Sequence, residues 1–190
     1  MDRLWTPWRY EYVCRTRESP APGVPDELKA WADSGAEITD CVFCNMIHAV
    51  DYAVSNGMSR DEADRAAHLL VRAEHCFLCL NAFPYGTGHI LILPYRHVAS
   101  LAELPANEAS EMMSLAQRVE KVLTNVYRPD GMNFGLNLGE AGGAGIARHI
   151  HVHALPRWVG DTNFMTVTAG TRVLPEALDT TWERIRSAWT

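Results

Sequence analysis

The chain has 190 residues, enough for one domain with a sizeable core. Its formal net charge of −6, from 17 Lys and Arg against 23 Asp and Glu, argues against broad electrostatic adhesion to nucleic acid or to an acidic membrane surface. Apolar runs such as Ile90 to Leu93 fall far short of the roughly 18 residues of a membrane span, and the opening MDRLWTPWRYEY lacks a signal-peptide core. The cytoplasm is the expected compartment. Five cysteines, an odd count spread over a mid-sized chain, argue against a disulfide framework and for thiols that are buried, free or bound to metal.

Taken in order, Leu4 to Tyr12 carries Trp5, Trp8, Tyr10 and Tyr12 around Pro7 and is too aromatic for a disordered tail, so packing is expected of it. Ser19 to Pro25 reads as a loop, and Asp26 to Ala32 as a short helix opening after Pro25. Cys41 and Cys44 form a CxxC in a loop. Asn45 to Ala67 suggests two short helices broken at Asn56 and Gly57, the second opened by Ser59 with Glu62 as a capping box. His68 to Arg72, Cys76 to Asn81 and Ile90 to Leu93 read as antiparallel strands. The spacing of Met112, Leu115, Val119, Val122, Leu123 and Val126 predicts one long helix over about 108–126, broken at Pro129.

Beyond that helix, Met132 to Leu138 reads as a strand, Glu140 to Gly145 as a glycine-rich loop, and His149 to Pro156 as a second strand paired with the first around that loop. Asn163 to Thr168 is a further candidate strand and Glu176 to Trp189 a terminal helix. The sum is an α+β fold, a mostly antiparallel sheet flanked by helices. The expected organisation is a single domain over 1–190 with extensions at about 1–40 and 159–190.

Chemistry concentrates in HIHVHALPRW. On a strand, His149, His151 and His153 share one face about 7 Å apart, while Ile150, Val152 and Ala154 share the other. Three surface histidines on an edge strand would be the bland alternative, but evenly spaced imidazoles opposite an apolar face are hard to explain by packing alone. A CxxC lets two thiolates meet one tetrahedral Zn²⁺ and leaves two ligands unassigned. Cys76 and Cys79 make a second CxxC, and two such pairs would suggest a four-cysteine ribbon. That second pair lies in a strand, however, where residues three apart point to opposite faces.

HIHVHAL resembles the signature of the histidine-triad family of nucleotide hydrolases and transferases. NAFPYGTGHILILPYRHV, from Asn81 to Val98, resembles that family's strand, turn and strand, and GLNLGEAGGAGIARH, from Gly135 to His149, its phosphate-binding loop. LWTPWRYEYV and WVGDTNF resemble more narrowly the bacterial branch related to diadenosine tetraphosphate phosphorylases and hydrolases. Residues of about 15–40 and 45–66 are unmatched.

The resemblance implies a homodimer that cleaves a nucleotide P–O–P linkage, with diadenosine tetraphosphate the favoured substrate; the charge balance and short apolar runs lead us to expect no nucleic-acid or membrane partner. His151 would be the nucleophile, attacking the α-phosphorus to give a nucleotidyl-histidine, and His153 would donate to phosphate oxygens or the leaving group. The second acceptor would be water or inorganic phosphate. Asn137 would lie at the phosphates or in the nucleophile's surroundings, the loop glycines Gly143 and Gly145 at the phosphates, Asn81 at the ribose hydroxyls, and His89 near the nucleotide or in a structural role. Trp158 and Val159 to Phe164 would cover the site or meet the dimer partner. Many relatives carry Ser, Thr or Gln just before the triad, whereas Gly145 and Ile146 stand here, so a side-chain donor is missing. Zinc-carrying relatives imply a structural Zn²⁺ held by Cys41, Cys44, His97 and His149. His48, His68 and His75 have no assigned role. A nucleoside phosphoramidase using the same nucleophile, or a nucleotide-binding module with little catalysis, are the rival readings.

Overall fold

A computed structural model describes residues 22–161 and 176–189 of the chain. The aromatic opening around Pro7, the candidate strand Asn163 to Thr168 and the end of WVGDTNF lie outside the described residues. Five antiparallel strands form one sheet in the order β1-β2-β3-β5-β4: β1 (Leu69–Arg72), β2 (Cys76–Leu80), β3 (Ile90–Pro94), β4 (Gly131–Leu136) and β5 (Val152–Arg157). Helices α1 (Lys29–Asp33, after a 3-10 turn at Asp26–Leu28), α2 (Val42–Ser55), α3 (Arg60–Ala66), α4 (Ala106–Tyr127) and α5 (Leu178–Ala188) complete the α+β arrangement expected from the sequence.

Central strands β2 and β3 are buried at every position, because helices cover both faces of the sheet. One face packs Leu78, Leu80, Ile90 and Ile92 against Met112, Leu115, Val119 and Leu123 of α4, which recur at the helical period. The opposite face packs Phe77, Cys79, Leu91 and Leu93 against Met46, Ala49, Val50 and Ala53 of α2, with Leu28 and Ala32 from the preceding helical segment. Cys76 belongs to the first cluster and Cys79 to the second, so the two thiols do point apart. The long helix stops at Arg128, in the left-handed conformation at φ 46°, immediately before Pro129.

Helix boundaries elsewhere follow local chemistry. At the end of α2, Gly57 at φ +110° lets the N–H of Met58 reach the carbonyl of Ala53, closing the helix with a reversal that a side chain would oppose. Ser59 caps α3 by accepting the N–H of Glu62, although the Glu62 carboxylate meets the Ser59 hydroxyl instead of its N–H, so only half of the expected capping box forms. Helix α5 closes the β1 edge: Trp182 Nε1 donates to the Leu69 carbonyl at 2.7 Å and Arg186 to that of Leu70 at 3.1 Å.

Two expectations need correction. The first CxxC is not in a loop: Cys41 is the N-cap of α2 and Cys44 lies in its first turn, because the apolar pair Val42 and Phe43 continues the buried stripe of that helix backwards from Asn45. The histidine strand joins the ladder only at Val152, not at His149. Its register pairs Ile92 with Val152, which sets Pro94 opposite Ile150. Proline has no N–H to offer, and the N–H of Ile150 turns instead to the Val98 carbonyl at 2.7 Å.

Candidate active site

Although His149 and His151 precede the ladder, the alternation holds through them. Ile150 and Ala154 are buried in the α4 cluster with Val152 against it, while the three imidazoles face the other way. The His151 and His153 rings lie 4.9 Å apart. Phe43, the residue between the two cysteines, sets its ring 5.5 Å from His149 and 5.2 Å from His151. Between these rings and the N-terminal helices lies a cavity of about 850 Å³, lined among others by His151, His153, Asn81, Asn137, Gly143 and Gly145.

Hydrogen bonds assign the ring protons. His151 Nδ1 lies 2.8 Å from the His149 carbonyl, so it is the N–H nitrogen and the lone pair falls on Nε2. Burial holds His151 below the ordinary imidazole range, the backbone bond opposing it, which keeps the ring neutral. The next pair forms a chain. The Tyr85 N–H donates to His89 Nδ1 at 3.1 Å, so a neutral His89 carries its proton on Nε2, 2.9 Å from His153 Nδ1. That leaves His153 a donor at Nε2. Asn81 is drawn into the same corner, its amide 3.3 Å from His89 Nδ1 and its carbonyl accepting the Phe83 N–H.

The glycine-rich loop is a closed turn with part of its donor set spent inside. Gly139 and Gly143 have φ of +67° and +88°, and the N–H groups of Gly143 and Ala144 return to the carbonyls of Glu140 and Gly139. A Cβ on Gly142 would lie 2.3 Å from the Leu138 carbonyl, so the turn needs glycine there. Asn137 spans the loop weakly, its amide 3.4 Å from the Gly143 carbonyl.

A second cluster abuts the first. Ligand atoms of Cys41, Cys44, His97 and His149 all lie within 4.8 Å of one another. His149 Nδ1 is 3.4 Å from Cys41 Sγ and 3.7 Å from Cys44 Sγ, and His97 Nδ1 is 3.4 Å from Cys44 Sγ. Tetrahedral zinc bonds of about 2.0–2.3 Å require ligand atoms roughly 3.3–3.8 Å apart, so the donor set fits that ion. His149 Nε2 donates to the Pro94 carbonyl at 3.0 Å, leaving Nδ1 as the nitrogen that could ligate a metal. Burial first, and then the neighbouring imidazoles, hold His149 down to about 4, so it is neutral as a ligand must be. Burial and the adjacent Cys41 push the Cys44 thiol up, an effect that a bound cation reverses. Cys76 and Cys79, pushed up to about 12 by burial and lying on opposite faces, stay outside the cluster.

All four metal candidates from the sequence therefore meet, as do His151, His153, Asn81, Asn137, Gly143 and Gly145 around one cavity. Of the remaining histidines, His48 bonds the Glu37 carbonyl and His75 bonds Asn107, whereas His68 lines the cavity after all. Sequence reasoning missed Phe43 and Tyr85. The first was hidden inside the CxxC; the second sits in the PYGTG turn, its ring 4.8 Å from His89 and 5.8 Å from His153.

The HIT domain family model matches residues 62–159. An AP-4-A phosphorylase of Mycobacterium tuberculosis is 33% identical over 189 residues, covering 100% of this chain and 85% of that protein. A bis(5'-adenosyl)-triphosphatase of Dictyostelium discoideum is 29% identical over 93 residues, covering 49% of this chain and 62% of that one. Among solved structures, a Zn-bound histidine triad family protein from Mycobacterium smegmatis superimposes with a TM-score of 0.57 at 25% identity, over 78% of this chain and 92% of that one. Matched by the family model over half its length and by a full-length relative at one residue in three, the chain belongs to the HIT domain family.

Proposed function

We propose that the protein is a nucleotidyl-transferring enzyme that cleaves a dinucleoside polyphosphate, diadenosine tetraphosphate foremost, at the α-phosphorus through His151. The observation that carries this reading is the His151 hydrogen bond to the His149 carbonyl, which leaves the lone pair on Nε2 of a ring lining the cavity. In the first step Nε2 forms a bond to the α-phosphorus while the bond to the bridging oxygen breaks, expelling ATP. His153, donating from Nε2, supplies the proton or hydrogen bond that the departing oxygen needs. In the second step an acceptor oxygen attacks the same phosphorus and releases His151.

Inorganic phosphate as acceptor gives ADP, and water gives AMP. The full-length likeness to an AP-4-A phosphorylase supports phosphate, and the half-length likeness to a triphosphatase supports water as the second reading. Asn81 would bind the ribose, and Asn137, Gly143 and Gly145 the phosphates. Since Gly143 spends its N–H within the turn, Gly145 is the better placed backbone donor. The Cys41, Cys44, His97 and His149 set would hold a structural Zn²⁺, which supplies a cross-link between α2, the segment after β3 and the histidine segment. The edge strand β4, with Phe134 exposed, supports assembly with a second copy. The odd count of five cysteines, which argues against a disulfide framework, fits a reducing compartment such as the cytoplasm.

Incubation with diadenosine tetraphosphate, with and without phosphate, tests the reading by product mass. ADP plus ATP appearing only with phosphate is the expected result. AMP plus ATP without it favours the hydrolase, and no cleavage of any dinucleoside polyphosphate overturns both.

A further inference from the structure

The carbonyl that fixes the proton on His151 belongs to His149, and nothing in the sheet holds it. Residues 149–151 precede β5, since Pro94 offers no N–H opposite Ile150. The Ile150 side chain is buried in the α4 cluster, and two hydrogen-bonding anchors act on this segment besides it. One is the Ile150 N–H donated to Val98. The other is the His149 side chain, whose Nε2 donates to the Pro94 carbonyl and whose Nδ1 faces both thiols. His97, the exposed member of the cluster, precedes Val98 directly. The cluster thus joins the same two chain segments as the Ile150 to Val98 bond. Phe43, held between Cys41 and Cys44 at the start of α2, rests on the His151 ring as well.

We propose that the Cys41, Cys44, His97 and His149 set, once it holds its metal, is the positioning device for the nucleophile: by fixing the His149 ring it fixes the His149 carbonyl, and so keeps His151 in the tautomer that attacks. The ligands are positioning residues and touch no substrate. A neutral imidazole released from this acceptor can carry its proton on either nitrogen, and only one form presents Nε2 as a base. The proposal rests on His151 being the nucleophile and on the set binding zinc. Comparable partners that orient a reactive group are worth about 10- to 100-fold in activity.

The test is histidine-labelled nitrogen NMR on the full chain, first loaded with zinc and then stripped by a chelator, with kinetics alongside. The loaded protein is expected to show His151 with one protonated and one bare nitrogen. On stripping, the two signals move toward a common average, and kcat falls at least about tenfold while KM holds. Unchanged His151 nitrogens on stripping, or a chain that takes up no zinc, overturns the proposal. Should stripping unfold the chain, His97→Ala and His97→Cys replace it. The alanine variant is expected to show the averaged signals, and the cysteine variant, which restores a fourth ligand, to recover the split pair; identical spectra for the two overturn the coupling. Failure of the nucleophile reading has its own signature, retained turnover in His151→Ala, which the nitrogen spectrum of the wild type does not share.

Discussion

On the α4 side of the histidine segment, Ile150, Val152 and Ala154 enter an apolar cluster with Met112, Val119 and Leu123. On the other side, one residue out of step, His149, His151 and His153 meet thiols, rings and a cavity. The contrast teaches that a single run of chain separates stability from chemistry by alternation alone, since each Cβ faces away from its neighbours'. The apolar face of the sheet that meets α2 is not free of charge either: at its β1 edge Arg72 Nε donates to Asp64 at 3.1 Å, with the Arg72 side chain 23% and the Asp64 side chain 9% exposed.

The largest expected effect breaks the histidine face only. On the proposed role of His151 as the nucleophile, His151→Ala should lower turnover by orders of magnitude, because removing a covalent nucleophile leaves only positioning and electrostatics behind. Its melting temperature should stay close to that of the wild type, which a thermal scan beside the assay reads directly. A collapse in stability would mean that the two faces are not separable.

The ion pair sharpens the comparison next. Arg72→Ala removes the nearest cation from the Asp64 carboxylate, leaving Arg60 and Arg186 as the remaining favourable charges, and should cost about 1–3 kcal/mol in denaturant unfolding, whereas Asp64→Asn removes the charge and should cost less. Burial outweighs Arg72 and raises Asp64 above its ordinary value. A carboxyl raised on folding gives stability that is present at low pH and lost as pH rises through the folded value. Acidifying from neutral toward the unfolded value of 3.8 should therefore favour the wild type over Asp64→Asn. The opposite trend would show Arg72 to be the stronger influence.

Leu123→Ala is the matching disturbance of the α4 face. Truncating this fully buried side chain should cost about 2–5 kcal/mol, a loss of roughly 2–4 °C in melting temperature per kcal/mol for a chain of this size. Catalytic efficiency measured well below the transition should remain within a few-fold of the wild type. A large loss of kcat in folded Leu123→Ala would put α4 in the chemistry.

Helical period made α4 legible and alternation the histidine face, because each reflects which side of an element is covered, whereas β2 and β3 showed as continuous apolar runs buried on both faces. Local signals ended where distant partners decide. Val42 and Phe43 read as loop residues between cysteines, and only the core beneath them makes that stretch helical. The late start of β5 is set by a proline on another strand. His89 and His153, 64 residues apart, meet at 2.9 Å through a register that neither segment encodes by itself. The metal set was legible only through family resemblance, since spacing gave two ligands and no direction to the others.

Strand order has a consequence for how the chain reaches this state. β1, β2 and β3 form a meander joined by short links, but β5 inserts between β3 and β4 and closes contacts across far longer loops. Cys41 meets His149 across 108 residues. Closure entropy grows with such separations, so the meander is expected to form early and the pocket late. During synthesis the thiol pair of α2 emerges long before the imidazole it faces. The chain must then carry two cysteines without their fourth companion until the sheet is nearly complete, and catalytic competence is a late product of folding.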